Sequence, residues 1–331
     1  MEIYYPEYYY SFRCIAADCP DSCCKEWAVD VDADAAASYR ALPGALGDRL
    51  RQVLQDTEDG TVMTIEDGRC PMWRQDGLCQ IQAELGHDSL CQTCREFPRL
   101  KHDYGDFVEL GLELSCPEAA RLILSLPFRW ESRTCDGGEE VEYDRDVMTI
   151  LRTSRREVEQ LLENTKYSVP EALAIILFYS YDVQTQIDGG EGIPLDPDFC
   201  LAEAKKYAGQ GDVLAVRAFF EKLEILTEDW RQKLRRPIEL ICWSEMLRKV
   251  AQYLVTRYWL QAISDYDLTS RVKFVVISCL LIGSLGEDPI RTAQQFSKEI
   301  ENDQDNIEAI LDGAYAEPAF TDANLLGLLL K

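Results

Sequence analysis

The sequence is poor in histidine and lacks the common nucleotide-binding and hydrolase motifs. It has only two histidines, His87 and His102, among 331 residues, so a histidine-based catalytic triad has little support. The phrases G-x-G-x-x-G, G-x-x-x-x-G-K-[ST], G-x-S-x-G and H-E-x-x-H are all absent. Dinucleotide binding, nucleoside triphosphate binding, α/β-hydrolase chemistry and zincin chemistry therefore lose their usual sequence signals.

Basic residues are also scarce. The chain has 34 lysines and arginines against 59 aspartates and glutamates, which gives a formal net charge of -25 at pH 7. Such a charge repels nucleic acid phosphates and anionic lipid surfaces, and it attracts a basic partner such as a protein that displays lysines. The same charge also serves solubility, which is the ordinary role of a run of carboxylates. We therefore expect no nucleic acid partner and no membrane partner.

Long apolar runs and a secretory signal pattern are also missing. The first residues, MEIYYPEYYY, have no basic stretch followed by an apolar one, so the sequence predicts a cytoplasmic protein. The apolar runs ALAIILFY at 172–179 and FVVISCLLIG at 274–283 are shorter than the roughly 20 residues that a membrane-spanning helix needs. Both runs are typical of buried helix segments.

Cysteine, in contrast, is abundant in one part of the chain. Nine of the 13 cysteines lie between positions 14 and 116, namely Cys14, Cys19, Cys23, Cys24, Cys70, Cys79, Cys91, Cys94 and Cys116. In a reducing compartment such a cluster indicates metal binding or redox chemistry rather than a disulfide framework. Because histidine is so rare, a cysteine-only site is favoured, and the irregular spacing suits zinc as well as an iron–sulfur cluster. The other four, Cys135, Cys200, Cys242 and Cys279, are predicted to be small buried hydrophobes.

At least four of the nine clustered cysteines are expected to share one metal centre. Cys91 and Cys94 are the first candidates, because they stand three apart on one face of a predicted helical turn that has Asp88 as its N-cap. The next candidates are Cys19, Cys23, Cys24 and Cys116. Cys116 lies at a predicted helix start, where the helix dipole favours a thiolate.

Two further local patterns lie between these cysteines. The segment from 27 to 56 begins with alternation and continues as a helix with Asp34 as a possible cap and a break near Pro43. The phrases TVMTIEDGRCPMW and GLCQIQ predict a small hairpin, with Cys70 and Cys79 near its turn.

The composition of the chain changes after the cysteine-rich part. An acidic, glycine-rich linker at 132–144 is followed by segments in which apolar residues recur every three or four positions. We therefore expect a mainly α protein, in which a small cysteine-rich, metal-organised α+β region at 1–135 precedes an all-helical bundle at 136–331.

The cysteine phrases together resemble one known family. They are F-x-C at 12–14, D-C-x-x-x-C-C-x-x-W at 18–27, C-P-x-x at 70–73, G-L-C-x-I at 77–81, L-G at 85–86, C-x-x-C-R-x-[FY]-P-R at 91–99 and S-C-P-E-A at 115–119. In these phrases the chain resembles the flagellin lysine N-methylase family. The double cysteine and C-R-x-F-P also resemble a wider group of small zinc- or iron-chelating cysteine domains.

The resemblance implies methyl transfer from S-adenosylmethionine to lysine side chains of flagellin, by a protein that carries an iron–sulfur cluster of the 4Fe–4S type. The C-x3-C-x2-C spacing of radical enzymes is absent, because Cys23 is followed directly by Cys24. The spacing therefore does not support a radical mechanism, and the choice between radical chemistry and direct displacement stays open. A direct displacement on the sulfonium methyl needs a carboxylate or tyrosine to orient and deprotonate the amine. Sequence proximity to the cysteines suggests four candidates for that role: Asp18, Asp21, Tyr104 and Glu118.

A different class of function stays open. The cysteine region is also compatible with a non-enzymatic zinc- or iron-binding protein that serves as a scaffold, a sensor or a metal-maturation adaptor. In that case the acidic helical half would be a docking surface.

Overall fold

The structure is a computed structural model that describes residues 1–138, 141–237, 241–286 and 288–330. Glu139 and Glu140, within the predicted linker, lie outside the described residues. In the described part all strands precede residue 135, and the regular elements after residue 136 are all helical. The mainly α class predicted from the sequence is therefore confirmed.

The strands belong to two small sheets. They are β1 Glu2–Pro6, β2 Val29–Val31, β3 Leu54–Asp56, β4 Thr61–Met63, β5 Arg99–Asp103, β6 Phe107–Leu112 and β7 Trp130–Thr134. The larger sheet has the order β5-β6-β1-β7, and the smaller one has the order β2-β4-β3. In the larger sheet β1 runs parallel to β6, with Glu2 opposite Phe107, and antiparallel to β7, with Glu2 opposite Thr134. The first strand of the chain, β1, therefore pairs with a strand that lies more than 100 residues later in the sequence.

Five short helices are interleaved with these strands. They are α1 Ala33–Ala41, α2 Gly44–Val53, α3 Gln80–Leu85, α4 Gln92–Glu96 and α5 Pro117–Ser125. Ten further helices follow: α6 Arg145–Glu163, α7 Val169–Ile187, α8 Pro197–Tyr207, α9 Val213–Phe220, α10 Glu228–Arg235, α11 Glu245–Tyr258, α12 Leu268–Leu285, α13 Pro289–Phe296, α14 Gln304–Ala316 and α15 Asp322–Leu329. A single π-helical turn, Ser297–Glu301, continues directly from α13.

The structure corrects the predicted caps of two helices. Asp32, not Asp34, caps α1, because its side chain accepts hydrogen bonds from the backbone N–H groups of Ala35 and Gln92. The neighbouring strand β2 fixes the chain up to Val31 and so makes Asp32 the first residue free to cap. Cys91, not Asp88, is the residue before α4, since a separate 3₁₀ turn occupies His87–Ser89.

The predicted hairpin is also only partly correct. Val29–Val31 and Leu54–Asp56 both pair with Thr61–Met63, so the main strand contacts of this segment involve earlier residues. An isolated bridge between Trp73 and Cys79 does bring the two phrases together. The residues after Cys79 then form α3, because Gln80 onward makes helical rather than strand hydrogen bonds.

Two hydrophobic cores hold these elements. The larger core joins Phe107 and Leu112 of the sheet to buried residues of the helices, such as Leu173 and Leu280. The smaller core lies within residues 29–91 and contains Leu50, which is 0% exposed, together with the sulfur-bearing side chains of Met63, Met72, Cys70 and Cys91. The larger core includes residues on both sides of the predicted boundary at 135, and that boundary stays a prediction.

Among the described residues, α12 is a long and apolar helix. By length and composition alone, Leu268–Leu285 could cross a membrane, and it is the one helix among the described residues with this property. However, 94% of it is buried against the rest of the protein, as in the core helix of a folded domain. Both apolar runs noted in the sequence lie in buried helices, α7 and α12.

Candidate functional site

The nine clustered cysteines lie close to one another, and we divide them into two sets by the thiols that affect one another's pKa values. Sulfur group 1 comprises Cys14, Cys19, Cys23 and Cys116, and sulfur group 2 comprises Cys24, Cys70, Cys79, Cys91 and Cys94. Within each group the thiols are close enough for the charge of one to raise the pKa of another. The two groups are continuous, because the side chains of Cys23 and Cys24 contact each other and the charge of Cys23 also raises the pKa of Cys94.

Sulfur group 1 is built from the loop before α1 and the start of α5. Cys116 immediately precedes Pro117, the first residue of α5, as the sequence predicted. Backbone N–H groups of Ala119 and Glu118 point at its sulfur and favour the thiolate, but burial outweighs them and raises the pKa of Cys116 to about 11. Burial also raises the pKa of Cys19, against a backbone N–H of Asp21 that lowers it.

In sulfur group 2 the thiol with the lowest pKa is Cys24. Its contacts with Cys23, Cys70 and the Ser22 side chain lower the pKa of Cys24 to about 3, while the same contacts raise the pKa values of Cys23 and Cys70. The backbone supports this arrangement, since the N–H of Cys70 donates to the carbonyl oxygen of Cys24 at 2.8 Å. The thiolate of Cys24 is thus stabilised by hydrogen bonds from the thiols of Cys23 and Cys70.

The C-x2-C pair completes sulfur group 2. Cys91 and Cys94 contact each other across the first turn of α4, and this contact lowers the pKa of Cys91 to about 7 and raises that of Cys94. Burial raises the pKa of Cys79, although the backbone N–H groups of Gln82 and Ile81 point at its sulfur. Such N–H groups are a usual device for stabilising metal-bound thiolates.

The residue types and their surroundings fit a thiolate-bound metal or cluster. Each group has at least four thiols, which is the number that a cysteine-only zinc site or a 4Fe–4S cluster requires. All 13 cysteines are free of disulfides. In the described ranges, however, no set of three or more His, Cys, Asp or Glu side chains already lies in metal-ligating positions. Metal binding, and which cysteines provide it, therefore stay predictions.

A buried lysine holds the double-cysteine segment against the helical half. Lys298, on the π-helical turn, is 3% exposed. Its ammonium lies 3.1 Å from Asp21 Oδ2 and 2.7 Å from Glu26 Oε2, and 4.9 Å from the centre of the Trp27 ring. These three residues flank Cys23 and Cys24. Lys298 could not be singled out from the sequence, because a lysine in a stretch such as QQFSKEIEND has the pattern of a solvated helix face.

The same π-helical turn also carries a buried carboxylate. Glu301 lies 3.1 Å from Arg257 Nη1 and accepts hydrogen bonds from the hydroxyls of Tyr253 and Tyr258 at 3.2 and 2.9 Å. Burial raises the pKa values of both tyrosines, so they stay protonated donors. The π-helical turn therefore connects the cysteine segment with a buried polar network on α11, and single π turns are frequent at functional sites.

The four candidates for a proton-transfer role have different contacts in the structure. Asp18 is exposed on a short turn, and Glu118 forms a two-point ion pair with Arg121 on α5. Asp21 is bound by Lys298, and Tyr104 stacks on Phe107 with ring centres 4.7 Å apart. Burial raises the pKa of Tyr104. These contacts do not single out one of the four, and no catalytic residue is assigned among them.

An acidic cleft lies next to the C-x2-C pair. It has a volume of about 330 Å³ and is lined by the carboxylates of Asp30, Asp32, Asp59 and Glu96, and by Gln92 and Thr93, which stand between the two cysteines. Its walls are polar and apolar in about equal parts and are largely open to solvent. The cleft therefore presents negative charge beside sulfur group 2.

The four cysteines outside the cluster differ in burial. Cys200 and Cys279 are 2% and 0% exposed and behave as small core hydrophobes, as predicted. Cys135 is only half-buried, and Cys242 is exposed. The prediction for Cys242 is wrong because it lies in a non-helical segment before α11, where its backbone N–H bonds to Gly283.

Comparison with known proteins identifies the family to which this chain belongs. The chain is 33% identical over 132 residues to the flagellar biosynthetic protein FliU of Salmonella muenchen, which covers 37% of this chain and 76% of that protein. It is 32% identical over 132 residues to the lysine-N-methylases of Salmonella typhimurium and Salmonella choleraesuis, but here the match spans only 32% of their length. No family model and no solved structure matches. On the similarity to FliU, and on the cysteine phrases described above, the chain belongs to the flagellin lysine N-methylase family.

Proposed function

We propose that this protein transfers methyl groups from S-adenosylmethionine to lysine side chains of flagellin and carries a cysteine-ligated iron–sulfur cluster. The proposal rests mainly on one observation. Two neighbouring groups of cysteines occur in a chain whose relatives include proteins named lysine-N-methylase. The match covers only about a third of the length of those relatives. The proposal therefore also rests on the charge and the cysteine sites of this chain itself.

The electrostatics suit a lysine-bearing partner. The formal net charge of -25 attracts a basic surface over long range and speeds its encounter with the protein. The acidic cleft beside Cys91 and Cys94 concentrates some of that charge near sulfur group 2. Cytoplasmic location is part of the same proposal, since free thiols persist in a reducing compartment.

The proposed reaction is a direct displacement. The lone pair of a neutral lysine Nζ attacks the methyl carbon of the sulfonium, and the carbon–sulfur bond breaks with its electron pair going to sulfur. The products are the methylated amine, which loses a proton to solvent, and S-adenosylhomocysteine. Within this scheme the protein must align donor and acceptor and hold the amine in its neutral form.

The cysteines would hold the cluster, which supplies ligation energy that counts directly toward folding of this region. Sulfur group 1 has the four thiols that one 4Fe–4S cluster needs, and sulfur group 2 has five. Zinc in a four-thiolate site is the alternative metal. The residues Lys298, Asp21 and Glu26 keep the Cys23–Cys24 segment in place in either case.

The test combines metal analysis with a mass measurement. Protein purified without oxygen is expected to contain iron and sulfide and to absorb visible light, and to add methyl mass to flagellin from the same source when S-adenosylmethionine is supplied. The matched control is the protein after chelation of its metal. If the holoprotein adds no methyl mass and calorimetry detects no donor binding, the non-enzymatic metal-binding function replaces the enzymatic one.

A further inference from the structure

Gln294 is a buried glutamine of α13 that joins two segments far apart in the sequence. It is 5% exposed. Its Nε2 donates to Asp21 Oδ2 at 3.2 Å and to the carbonyl oxygen of Ser115 at 2.8 Å. A primary amide has two N–H donors, and because both partners are acceptors, its nitrogen and not its oxygen must face them. Gln294 therefore uses its whole donor capacity to connect Asp21 with Ser115.

Both of these acceptors lie beside cysteines of sulfur group 1. Asp21 stands between Cys19 and Cys23, and Ser115 directly precedes Cys116. Cys116 follows Cys23 by 116 − 23, or 93, residues. Its thiol nevertheless lies near that of Cys19. One amide of the helical half thus fixes the separation of two segments that would each supply metal ligands.

Both ends of this link are themselves held by other groups. One turn after Gln294, the ammonium of Lys298 lies 3.1 Å from the same oxygen, Asp21 Oδ2. At the other end, the hydroxyl of Ser115 donates to Glu113 Oε1 at 2.8 Å. In addition, α13 packs against α5, the helix that begins directly after the last cysteine of sulfur group 1. The link therefore connects two anchored segments and not two loose ones.

We propose that Gln294 is a positioning residue for a metal site formed by sulfur group 1. By holding the two ligand segments in place before the metal arrives, the amide lowers the ordering cost of metal binding. Loss of an outer group that orients metal ligands typically costs about 10- to 100-fold in metal affinity. Gln294 acts through Asp21 and the backbone of Ser115 and not on a sulfur, so we expect about tenfold. This inference rests on the cysteine-ligated metal of the proposed function, but not on its methyl transfer.

The experiment measures Co(II) binding to the metal-free, reduced, full-length protein without oxygen. Thiolate-bound Co(II) absorbs strongly, and a competing chelator converts the absorption into an affinity. Gln294→Met keeps the length of the side chain and removes both donors, so it should weaken binding about tenfold. The milder variant Gln294→Asn is too short to span both acceptors and should lie between Gln294→Met and the wild type.

The matched control is the neighbouring glutamine of the same helix. Gln295 Nε2 also donates to a carboxylate, Asp229 Oδ2, at 2.8 Å, but this partner lies on α10, a helix without cysteine. Gln295→Met is therefore expected to keep the wild-type affinity for Co(II).

A second readout separates positioning from a general loss of stability. Cys116→Ser removes the absorption that belongs to the site of sulfur group 1. Adding Gln294→Met to Cys116→Ser should change the remaining absorption no further, because the link acts through that site. A general loosening would lower the remaining absorption as well.

Four results would overturn the inference: no thiolate–cobalt absorption in the wild type, wild-type affinity in Gln294→Met, an equal loss in Gln295→Met, or a further loss in the double variant. The outcome is distinguishable from that of the proposed function. If Gln294→Met weakens Co(II) binding but the wild-type holoprotein adds no methyl mass to flagellin, the proposed function fails and the positioning role stands. If the wild type methylates flagellin and Gln294→Met binds Co(II) as tightly, the positioning role fails and the function stands.

Discussion

Replacing Lys298 by methionine tests whether the helical half holds the double-cysteine segment in place. The change keeps the aliphatic stem and removes the charge that lies 3.1 Å from Asp21 and 2.7 Å from Glu26. Both carboxylates then lose their main cation, and Trp27 loses its contact with the ammonium. The segment that bears Cys23 and Cys24 is expected to loosen.

The loss of stability expected for Lys298→Met depends on how deeply the three charged side chains are buried. Removing one partner of a fully buried ion pair costs about 3–5 kcal/mol, because the remaining charge is left without compensation. Lys298 is almost fully buried, but the side chains of Asp21 and Glu26 are 24% and 30% exposed, so water compensates them in part. We therefore expect the free energy of unfolding to fall by about 2–3 kcal/mol.

Guanidinium unfolding followed by tryptophan fluorescence is a suitable assay, since Trp27, one of the six tryptophans, lies against the Lys298 ammonium. The matched control is Lys206→Met, which breaks a pair with Glu203 on a side chain that is 65% exposed and should cost less than about 1 kcal/mol. A triple variant that also carries Asp21→Asn and Glu26→Gln should regain part of the loss. The reasoning is refuted if Lys298→Met unfolds at the same midpoint as the wild type, or if Lys206→Met loses as much.

Two other changes test separate sites. Cys94→Ser is expected to lower the metal content and destabilise the cysteine region, whereas Cys200→Ser should leave the metal content of the purified protein unchanged; equal metal content in both would exclude Cys94 as a ligand. Burial and Arg257 hold the pKa of His102 below 6.5, so the unfolded chain binds the proton more tightly and stability falls as the pH drops through 6.5 toward the folded value. His102→Gln should therefore lose less stability than the wild type between about pH 7 and pH 5 in urea unfolding, and identical losses would contradict this assignment.

The sequence was sufficient to predict structural features that depend only on neighbouring residues. The position of Cys116 before α5 was predictable because a proline follows it, and proline favours the first position of a helix. The apolar spacing of 274–283 likewise identified part of buried α12. Asp32 and Asp34 were harder to separate, because both precede the same alanine-rich run and only the pairing of β2 selects Asp32.

Features that join distant parts of the chain could not be predicted in this way. Lys298 meets Asp21 across 277 residues, and no periodicity relates the two positions. A small cleft beside His102 needs strands β5 and β6 to face α11, an arrangement that depends on packing rather than on local pattern. The proximity of Cys116 to Cys14 and Cys19 has the same origin, since about 100 residues separate them in the sequence.

The wide spread of the cysteines along the chain has a consequence for biosynthesis. Cys14 to Cys24 leave the ribosome first, and Cys116, the last member of sulfur group 1, is made 92 residues after Cys24. At about 5–20 residues per second, this leaves an interval on the order of 5 to 20 s in which the early thiols exist without their partners. A cluster held by sulfur group 1 can therefore be completed only after Cys116 has emerged, and until then the four earliest cysteines depend on the reducing power of their surroundings.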